Sequence, residues 1–391
     1  MTQVASPESK PTGVVGRVVE WLDERAGVGG IWQVFFARKI PLGVGWFYTL
    51  GFVSLFVFVL QAATGIFLAV YYSPSPDHAY DSIQFIMYEV PFGAVVRGLH
   101  HWGSSAMVVV VVLHMATVFV LGAYKYPREL TWVVGVGLLL VTLGFAFTGY
   151  LLPWDEKAYW ATVVGTSIPG TLPVVGDLVL RIARGGTELG TLTLTRFYAF
   201  HTLLLPASLM GLVAIHLYLV VHHGISVPPG VWEKTRDRLR SPRGLGNPNP
   251  GAPAREEYHQ RYEEFKAQGR PFWPEVVAED MIAGLAAFLA IFALVLAVGV
   301  PTEARADPTN TAYVPRPEWY FMFLFQVLKY FPCELEWVGA GVLPPLVLAL
   351  ILLLPFYDRS PWRSPRRRPL AMVGGLALAI AVLLLTYAAY Q

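Results

Sequence analysis

The sequence predicts an all-α membrane protein of seven transmembrane helices, four in an N-terminal bundle and three in a C-terminal set. Three observations predict it. Of the 391 residues, 55% are hydrophobic and only 14% are charged, against roughly 25% charged in ordinary soluble domains. Seven stretches reach the approximately 20 mostly apolar residues that a helix needs to cross a bilayer. Two of those stretches each hold a pair of histidines about four helical turns apart.

The elements follow in chain order. Residues 1–13 are polar and lack the charged-then-apolar pattern of a cleaved signal. Residues 14–28 (VVGRVVEWLDERAGV) read as an amphipathic helix lying on the membrane surface, which makes 1–29 a surface unit. The first four spans run over about 44–72, 93–121, 131–152 and 198–221, within a domain of residues 30–225. Residues 226–275 are polar and rich in Pro, Gly and charge (SPRGLGNPNPGAPAREEYHQRYEEF), as a cytoplasmic linker would be. The last three spans, about 281–300, 338–356 and 369–389, make a domain of residues 276–391. Between the first two of these lies EWYFMFLFQVLKY (318–330), apolar but too short to span. It predicts a helix tucked against the outer surface.

Loop charge gives the orientation. The second loop carries Lys125 and Arg128, and the sixth carries Arg359, Arg363, Arg366, Arg367 and Arg368 against Asp358. The first loop has Asp77 and Asp81 and no basic residue. The N-terminus and the even-numbered loops are therefore expected on the cytoplasmic side, and the C-terminus outside. A net charge of +2 is too small to suggest nucleic-acid binding. The single cysteine, Cys333, allows no disulfide, no four-cysteine iron–sulfur cluster and no CxxCH haem attachment from this chain alone. It reads as a buried bystander thiol.

His100 and His114 lie 14 residues apart in span two, and His201 and His216 lie 15 apart in span four. Four turns are about 14.4 residues, so each pair lies near one face, separated by roughly 21 Å along the axis. Both spans run from outside to inside. Side by side, they bring His100 level with His201 and His114 level with His216. Zinc would want a third or fourth ligand close by. Two facing imidazoles suit a haem iron, as its two axial ligands. The competing reading is isolated histidines in helix–helix hydrogen bonds. Four costly polar groups at matched depth argue against it.

Gly51 and Gly65 in span one, and Gly135 and Gly149 in span three, repeat the spacing of 14. Glycine lets a flat, bulky group approach a helix backbone. Close packing of membrane helices would favour the same residues, but beside the histidines they read as walls of a four-helix, two-haem bundle. Arg97 precedes His100 by three residues and Arg196 precedes His201 by five. Each could pair with an anionic haem propionate, or be an interfacial arginine reaching water.

These residues carry a resemblance. RGLHHWGSSAMVVVVVLH (97–114), YKYPRELTWVVGVGLLLVTLGFAFTGYLLPWD (124–155), TLTRFYAFH (193–201) and HGISVPPG (223–230) resemble the cytochrome b of bc-type quinol-oxidising complexes, in its plastid and cyanobacterial form. In that form cytochrome b and subunit IV are separate chains. PEWYFMFLFQVLKYFP (317–332) and RSPRRRP (363–369) resemble subunit IV, so the two halves look fused here.

The resemblance implies a catalytic subunit of a quinol–cytochrome c reductase type complex. One electron of each quinol goes to a Rieske iron–sulfur protein, and onward to a c-type cytochrome or a plastocyanin-like acceptor. The other crosses through a low-potential outer haem b (His100, His201) and a high-potential inner haem b (His114, His216) to a quinone on the inner side. Proton translocation, bound lipid and a homodimer of the complex come with the family. The location implied is the bacterial inner membrane, or a thylakoid. The family's quinol site corresponds to Pro317, Glu318, Trp319 and Tyr320, together with Tyr150, Pro153 and Trp154; Glu318, Tyr320 and Tyr150 are the candidate catalytic residues. Quinol oxidation releases protons, so a carboxylate at an apolar pocket is a suitable acceptor, although Glu318 could equally cap the helix that follows. Asp280 and His222, with His223 beside it, fit the family's inner quinone site, where a histidine and a carboxylate could deliver protons; interfacial charges with no such role would look the same. Plastid-type relatives attach an extra haem through a cysteine early in span one. Thr49 stands there, so no thioether can form.

Two other classes account for less of the sequence. A di-haem anchor for a dehydrogenase or hydrogenase would share the histidines but has no reason to contain PEWY or the second half. A secondary transporter predicts inverted repeats and broken helices, and does not explain four matched histidines.

Overall fold

The structure, a computed structural model, describes residues 13–236 and 248–391, without the side chains of Ile31, Thr235, Arg236 and Cys333. The polar tail before residue 13, the middle of the expected linker and the thiol of Cys333 lie outside the described residues.

Two short helices open the chain, α1 (Val14–Ala26) and α2 (Val28–Phe35), joined at Gly27 with φ of 61°. Val14, Val18 and Trp21, at helical spacing, remain exposed on one face of α1. The front half then contains α3 (Leu50–Tyr71), the surface helix α4 (Ala79–Tyr88), α5 (Gly93–Val120) and α6 (Glu129–Tyr150). A surface hairpin follows, α7 (Glu156–Gly170) and α8 (Gly176–Arg184). The fourth long helix is α9 (Thr191–Ala199), one turn of π-helix (Phe200–Leu204) and α10 (Leu205–His223) in continuous succession. Pro206 has no N–H to offer the carbonyl four residues back, so the helical ladder is open at this point.

The expected linker contains folded structure: α11 (Pro229–Arg236) and α12 (Ala252–Ala267). Val227, Trp232, Ala254, Tyr258, Tyr262 and Phe265 form a buried cluster there. A two-residue strand, β1 (Lys39–Ile40), pairs antiparallel with β2 (Arg270–Pro271) and ties this segment to the chain before α3. The back half holds α13 (Val277–Val298), α14 (Met322–Lys329), α15 (Glu336–Gly341), α16 (Leu343–Leu352), α17 (Leu354–Tyr357) and α18 (Pro369–Tyr390). As expected, 318–330 makes a short helix, α14, which packs on α18.

Among the described residues six helices are long and apolar enough to cross a membrane: Trp46–Tyr71, Gly93–Val120, Glu129–Tyr150, Thr191–His223, Phe272–Val298 and Pro369–Tyr390. The count departs from seven at 338–356, which is broken into α15, α16 and α17. Pro344, Pro345 and Pro355 sit at the starts of the second and third pieces, where a missing N–H is tolerated only because a helix is beginning. α18 buries only Ala389 and exposes Leu370, Val373, Leu383 and Tyr387, as a surface solvated by lipid would.

Among the described residues the halves meet in several places, three of which fix the frame of the bundle. In mid-molecule, α13 packs against α3 and α5 around Val53, Val57 and Ile291. At the His100–His201 end, outer by the loop-charge reading, Glu156 N–H donates to the Ala304 carbonyl at 3.0 Å and Ala306 N–H to the Trp154 carbonyl at 3.2 Å. Arg305 also pairs with Asp81.

The third contact is a polar clasp at the inner end. The Lys125 ammonium lies 2.9 Å from Asp358, and neither side chain is more than 9% exposed. Asp358 also accepts from the Tyr124 hydroxyl, and Arg368 reaches the Tyr124 oxygen at 2.8 Å. Arg128 donates to the His223 carbonyl and to the Tyr258 hydroxyl, both at 2.9 Å. Arg363 donates to Ser226 Oγ at 3.0 Å and to the Tyr126 carbonyl at 3.1 Å. Buried cations without such partners would cost several kcal/mol each, roughly.

Candidate functional site

The two outer histidines face each other. The His100 and His201 ring centres are 6.2 Å apart, with planes 74° apart. At the inner end His114 and His216 are electrostatic neighbours. The pairing therefore follows the register read from the spacing. The π turn explains why one pair is 15 apart and the other 14. A π turn accommodates one more residue than an α turn, so the extra residue after His201 leaves His216 in phase with His114.

Each glycine faces a histidine on the neighbouring helix. A Cβ on Gly51 would lie 3.3 Å from His114 Cε1, and one on Gly65 would lie 3.1 Å from His100 Cε1. On α6, Gly135 faces His216 and Gly149 faces His201 in the same way. The glycines thus make room for imidazole edges, where the spacing alone suggested room for a flat group.

Arg97 is buried at 7% exposure, and its hydrogen bond goes to the Met87 sulfur at 3.3 Å. A thioether is a weak acceptor, and the protein charge that this guanidinium feels is the Asp155 carboxylate. Arg196 is placed differently. It donates to the Ile182 and Arg181 carbonyls at 2.5 and 3.3 Å, closing the C-terminal end of α8. Among the described residues no three His, Cys, Asp or Glu side chains converge as a metal site. Paired histidines with no third ligand, and a buried arginine one turn before one of them, fit a haem.

The outer end gathers most of the expected quinol residues. The Glu318 carboxylate pairs with the Lys157 ammonium at 2.8 Å, their side chains 18% and 34% exposed. The Lys157 ammonium also lies 5.5 Å from the centre of the Tyr150 ring, whose hydroxyl donates to the Arg316 carbonyl at 3.3 Å. His101 feels the Glu318 charge. Tyr320 is buried, and burial first, then the Glu318 charge, push its phenol up. Trp319 Nε1 donates to Ser105 Oγ at 3.4 Å, while Pro317 and Pro153 are half-buried. Trp154 is buried at φ of 51°, a left-handed conformation that a bulky side chain rarely adopts. Next to it, Asp155 caps α7 by accepting from Ala158 N–H at 2.8 Å. Burial pushes the Asp155 carboxyl above its ordinary range, against the hydrogen bonds from Ala158 and Glu303.

The inner candidates are not joined. Asp280 is buried at the start of α13, with Glu279, Arg270 and Arg38 as its charged neighbours. His222 stacks on Tyr218 at 5.7 Å and touches His223 at 4.7 Å. Among the described residues no hydrogen bond or ion pair links His222 to Asp280. Arg38 Nε and the Tyr48 hydroxyl, both buried at this end, have no hydrogen-bond partner. Thr49, where relatives carry a cysteine, donates to the Trp46 carbonyl at 2.8 Å.

Sequence reasoning missed Lys157, 161 positions from Glu318. Nothing local marks it. It also missed Thr64 and Thr148, whose hydroxyls lie 3.0 and 3.1 Å from His100 Nδ1 and His201 Nδ1. Their signal was present as a Thr-Gly dipeptide at 64–65 and again at 148–149.

Comparison with known proteins adds the following. Two family profiles match, "Cytochrome b/b6/petB" over residues 36–224 and "Cytochrome b(C-terminal)/b6/petD" over 305–391. A cytochrome bc complex cytochrome b subunit from Chlorobaculum thiosulfatiphilum is 36% identical over 388 residues, covering 98% of this chain and 82% of that one. Cytochrome b6 of Synechococcus elongatus is 42% identical over 214 residues, which is 55% of this chain and 100% of the relative. Among solved structures, a chain of a hyperthermophilic respiratory Complex III superposes with a TM-score of 0.79 at 32% identity, over 95% of this chain and 91% of that one.

Proposed function

The chain belongs to the cytochrome b family of bc-type complexes, and from that premise we propose that it oxidises quinol beside Glu318 and passes one electron of each pair across the membrane between its two histidine pairs. The observation that carries this reading is the His100–His201 pair with ring centres 6.2 Å apart. The two imidazoles would hold a haem iron between them. Haem bound there would supply a one-electron carrier.

The chain's own residues do the rest. His100 and His201 hold the outer haem, and His114 and His216 the inner one. Gly51, Gly65, Gly135 and Gly149 let those imidazoles seat against the neighbouring helix. Arg97 meets an anionic propionate at the outer haem, and Arg196 instead fixes α8. A quinol lying against Tyr150, Pro153, Trp154 and Pro317–Tyr320 gives a proton to Glu318. Lys157 orients that carboxylate from the water side and marks the way out. On the inner side Asp280, His222, Arg38 and Tyr48 surround a quinone that takes up protons. With Thr49 in place of a cysteine, no haem is attached there by a thioether.

One cysteine cannot build an iron–sulfur centre, so the other electron of each quinol passes to a Rieske partner and onward to a c-type cytochrome or similar acceptor. α15, α16 and α17 together make a seventh crossing. The N-terminus is then cytoplasmic, in a bacterial inner membrane, within a lipid-bound complex that pairs as a homodimer.

Purified protein is expected to show two b-type haems of different midpoint potential. Glu318→Gln should slow quinol oxidation roughly 10²-fold, the ordinary reach of a positioned proton acceptor, with both haem spectra intact. Unchanged turnover would remove Glu318 from the proton path. A fully folded, haem-free preparation would overturn the whole reading.

A further inference from the structure

We propose that Thr64 and Thr148 are positioning residues that hold the potential of the outer haem below that of the inner one, by fixing the proton of each outer histidine on Nδ1. The proposal rests on the two-haem reading above.

The argument is one of proton placement. Thr64 Oγ1 lies 2.7 Å from the Leu60 carbonyl and 3.0 Å from His100 Nδ1. Thr148 Oγ1 lies 2.8 Å from the Gly144 carbonyl and 3.1 Å from His201 Nδ1. A hydroxyl has one proton and two lone pairs, and a carbonyl can only accept. Each threonine therefore donates to its own helix. The proton in the contact with the histidine must then come from Nδ1. Both outer imidazoles are the Nδ1–H form, and Nε2 keeps its lone pair for iron.

The inner pair lacks this device. The residues that precede Gly51 and Gly135 are Leu50 and Val134, which carry no hydroxyl. His216 Nδ1 is buried and faces the Thr131 carbonyl with no hydroxyl beside it, whereas His100 and His201, which face the Gln61 and Phe145 carbonyls in the same way, have the threonine hydroxyls in addition. His114 makes no hydrogen bond among the described residues. Donation from Nδ1–H to an acceptor raises the basicity of an imidazole ligand, and a low-dielectric interior strengthens the effect. A more basic ligand pair stabilises ferric over ferrous iron. Two hydroxyl contacts at the outer site, added to the backbone carbonyls that both sites have, and none at the inner one among the described residues place the lower potential outside, so an electron released at the outer face runs inward.

Thr64→Val and Thr148→Val, made separately in the full-length protein within its complex, test this by redox titration of both haem bands. Each is expected to raise the outer midpoint and leave the inner one in place. The electron-sharing constant between the haems should fall about threefold, or about 28 mV at 59 mV per tenfold for one electron. Thr→Ser keeps the hydroxyl and should keep the wild-type midpoint. An unmoved outer midpoint in both valine variants, or serine variants that behave like valine, would overturn the role of the hydroxyls. Wild-type protein holding fewer than two haems would instead overturn the reading on which the proposal rests. Should the valine variants fail to assemble, Val134→Thr carries the test in reverse. It offers His216 a hydroxyl and should lower the inner midpoint, and an inner midpoint that stays put would count against the proposal.

Discussion

One added methyl group should tell the four histidine sites apart. A Cβ would lie 2.6 Å from His201 Cε1 at Gly149, 3.1 Å from His100 at Gly65, 3.3 Å from His114 at Gly51 and 3.5 Å from His216 at Gly135. Only the last is an ordinary van der Waals separation. Gly149→Ala must displace His201, at the roughly 1–3 kcal/mol typical of overpacking, whereas Gly135→Ala is tolerated. Haem difference spectra of the purified variants should show the outer signal weakened in Gly149→Ala and both signals kept in Gly135→Ala; equal loss in the two would contradict the graded fit. The glycines and histidines were legible in the sequence because a helix repeats its faces locally. What each glycine touches was not, since the imidazole comes from another helix. The same limit hid Lys157, whose partner Glu318 lies across the fold. It also gave Arg196 an expected partner when α8, 15 residues earlier at Arg181, claims it. Thr64 and Thr148 escaped for another reason. A helical threonine commonly bonds a carbonyl of the preceding turn, and only the neighbouring histidine shows that this bond has a second use.

Among the elements, the inner clasp has the clearest energetic consequence. Burial alone would raise the Asp358 carboxyl, but hydrogen bonds from Tyr124 and Lys125 and the charges of Lys125 and Arg368 hold it below the usual carboxylate range. A depressed folded value contributes stability that is present above the unfolded value of about 3.9 and is lost as pH falls through the folded value. The clasp should therefore hold at neutral pH and release only in acid, below about pH 4. Asp358→Asn leaves Lys125 and Arg368 buried without their counter-charge, which costs about 3–5 kcal/mol in comparable cases. Thermal melts in detergent should show the loss at pH 7, and a variant as stable as the parent would mean that the pairing contributes nothing net. The clasp was invisible in the sequence, where Arg363 and Arg368 read as an orientation signal and as part of a motif, without partners. The broken stretch 338–356 was hidden by composition, since hydropathy counts apolar residues and proline within them does not lower the count enough to show the breaks.

At the scale of the whole molecule, the two halves are joined by far more than the segment between them. The outer loop contacts, the packing of α13 and the inner clasp all lie outside residues 237–247. A chain cut within that stretch should stay assembled, its two fragments eluting together with both haems on size exclusion in detergent; separated fragments would show that the covalent link is required. The division into a four-helix front and a back half could be read from hydropathy and charge, which are properties of chain segments. The surfaces that reunite the halves could not, because they pair residues far apart in the chain, such as Lys125 with Asp358. The spacing of the histidine pairs has one further consequence. Roughly 21 Å along the axis is about two thirds of a hydrocarbon core of about 30 Å. In the proposed orientation, an electron moving from the outer pair to the inner pair climbs that share of the transmembrane voltage. At about 2.3 kcal/mol per charge per 100 mV, the climb is roughly 1.5 kcal/mol for each 100 mV. The bundle then behaves as the gap of a capacitor. Each crossing charges the membrane, and a fully charged membrane opposes the next crossing, so the distance set by four turns of helix acts as a brake on turnover.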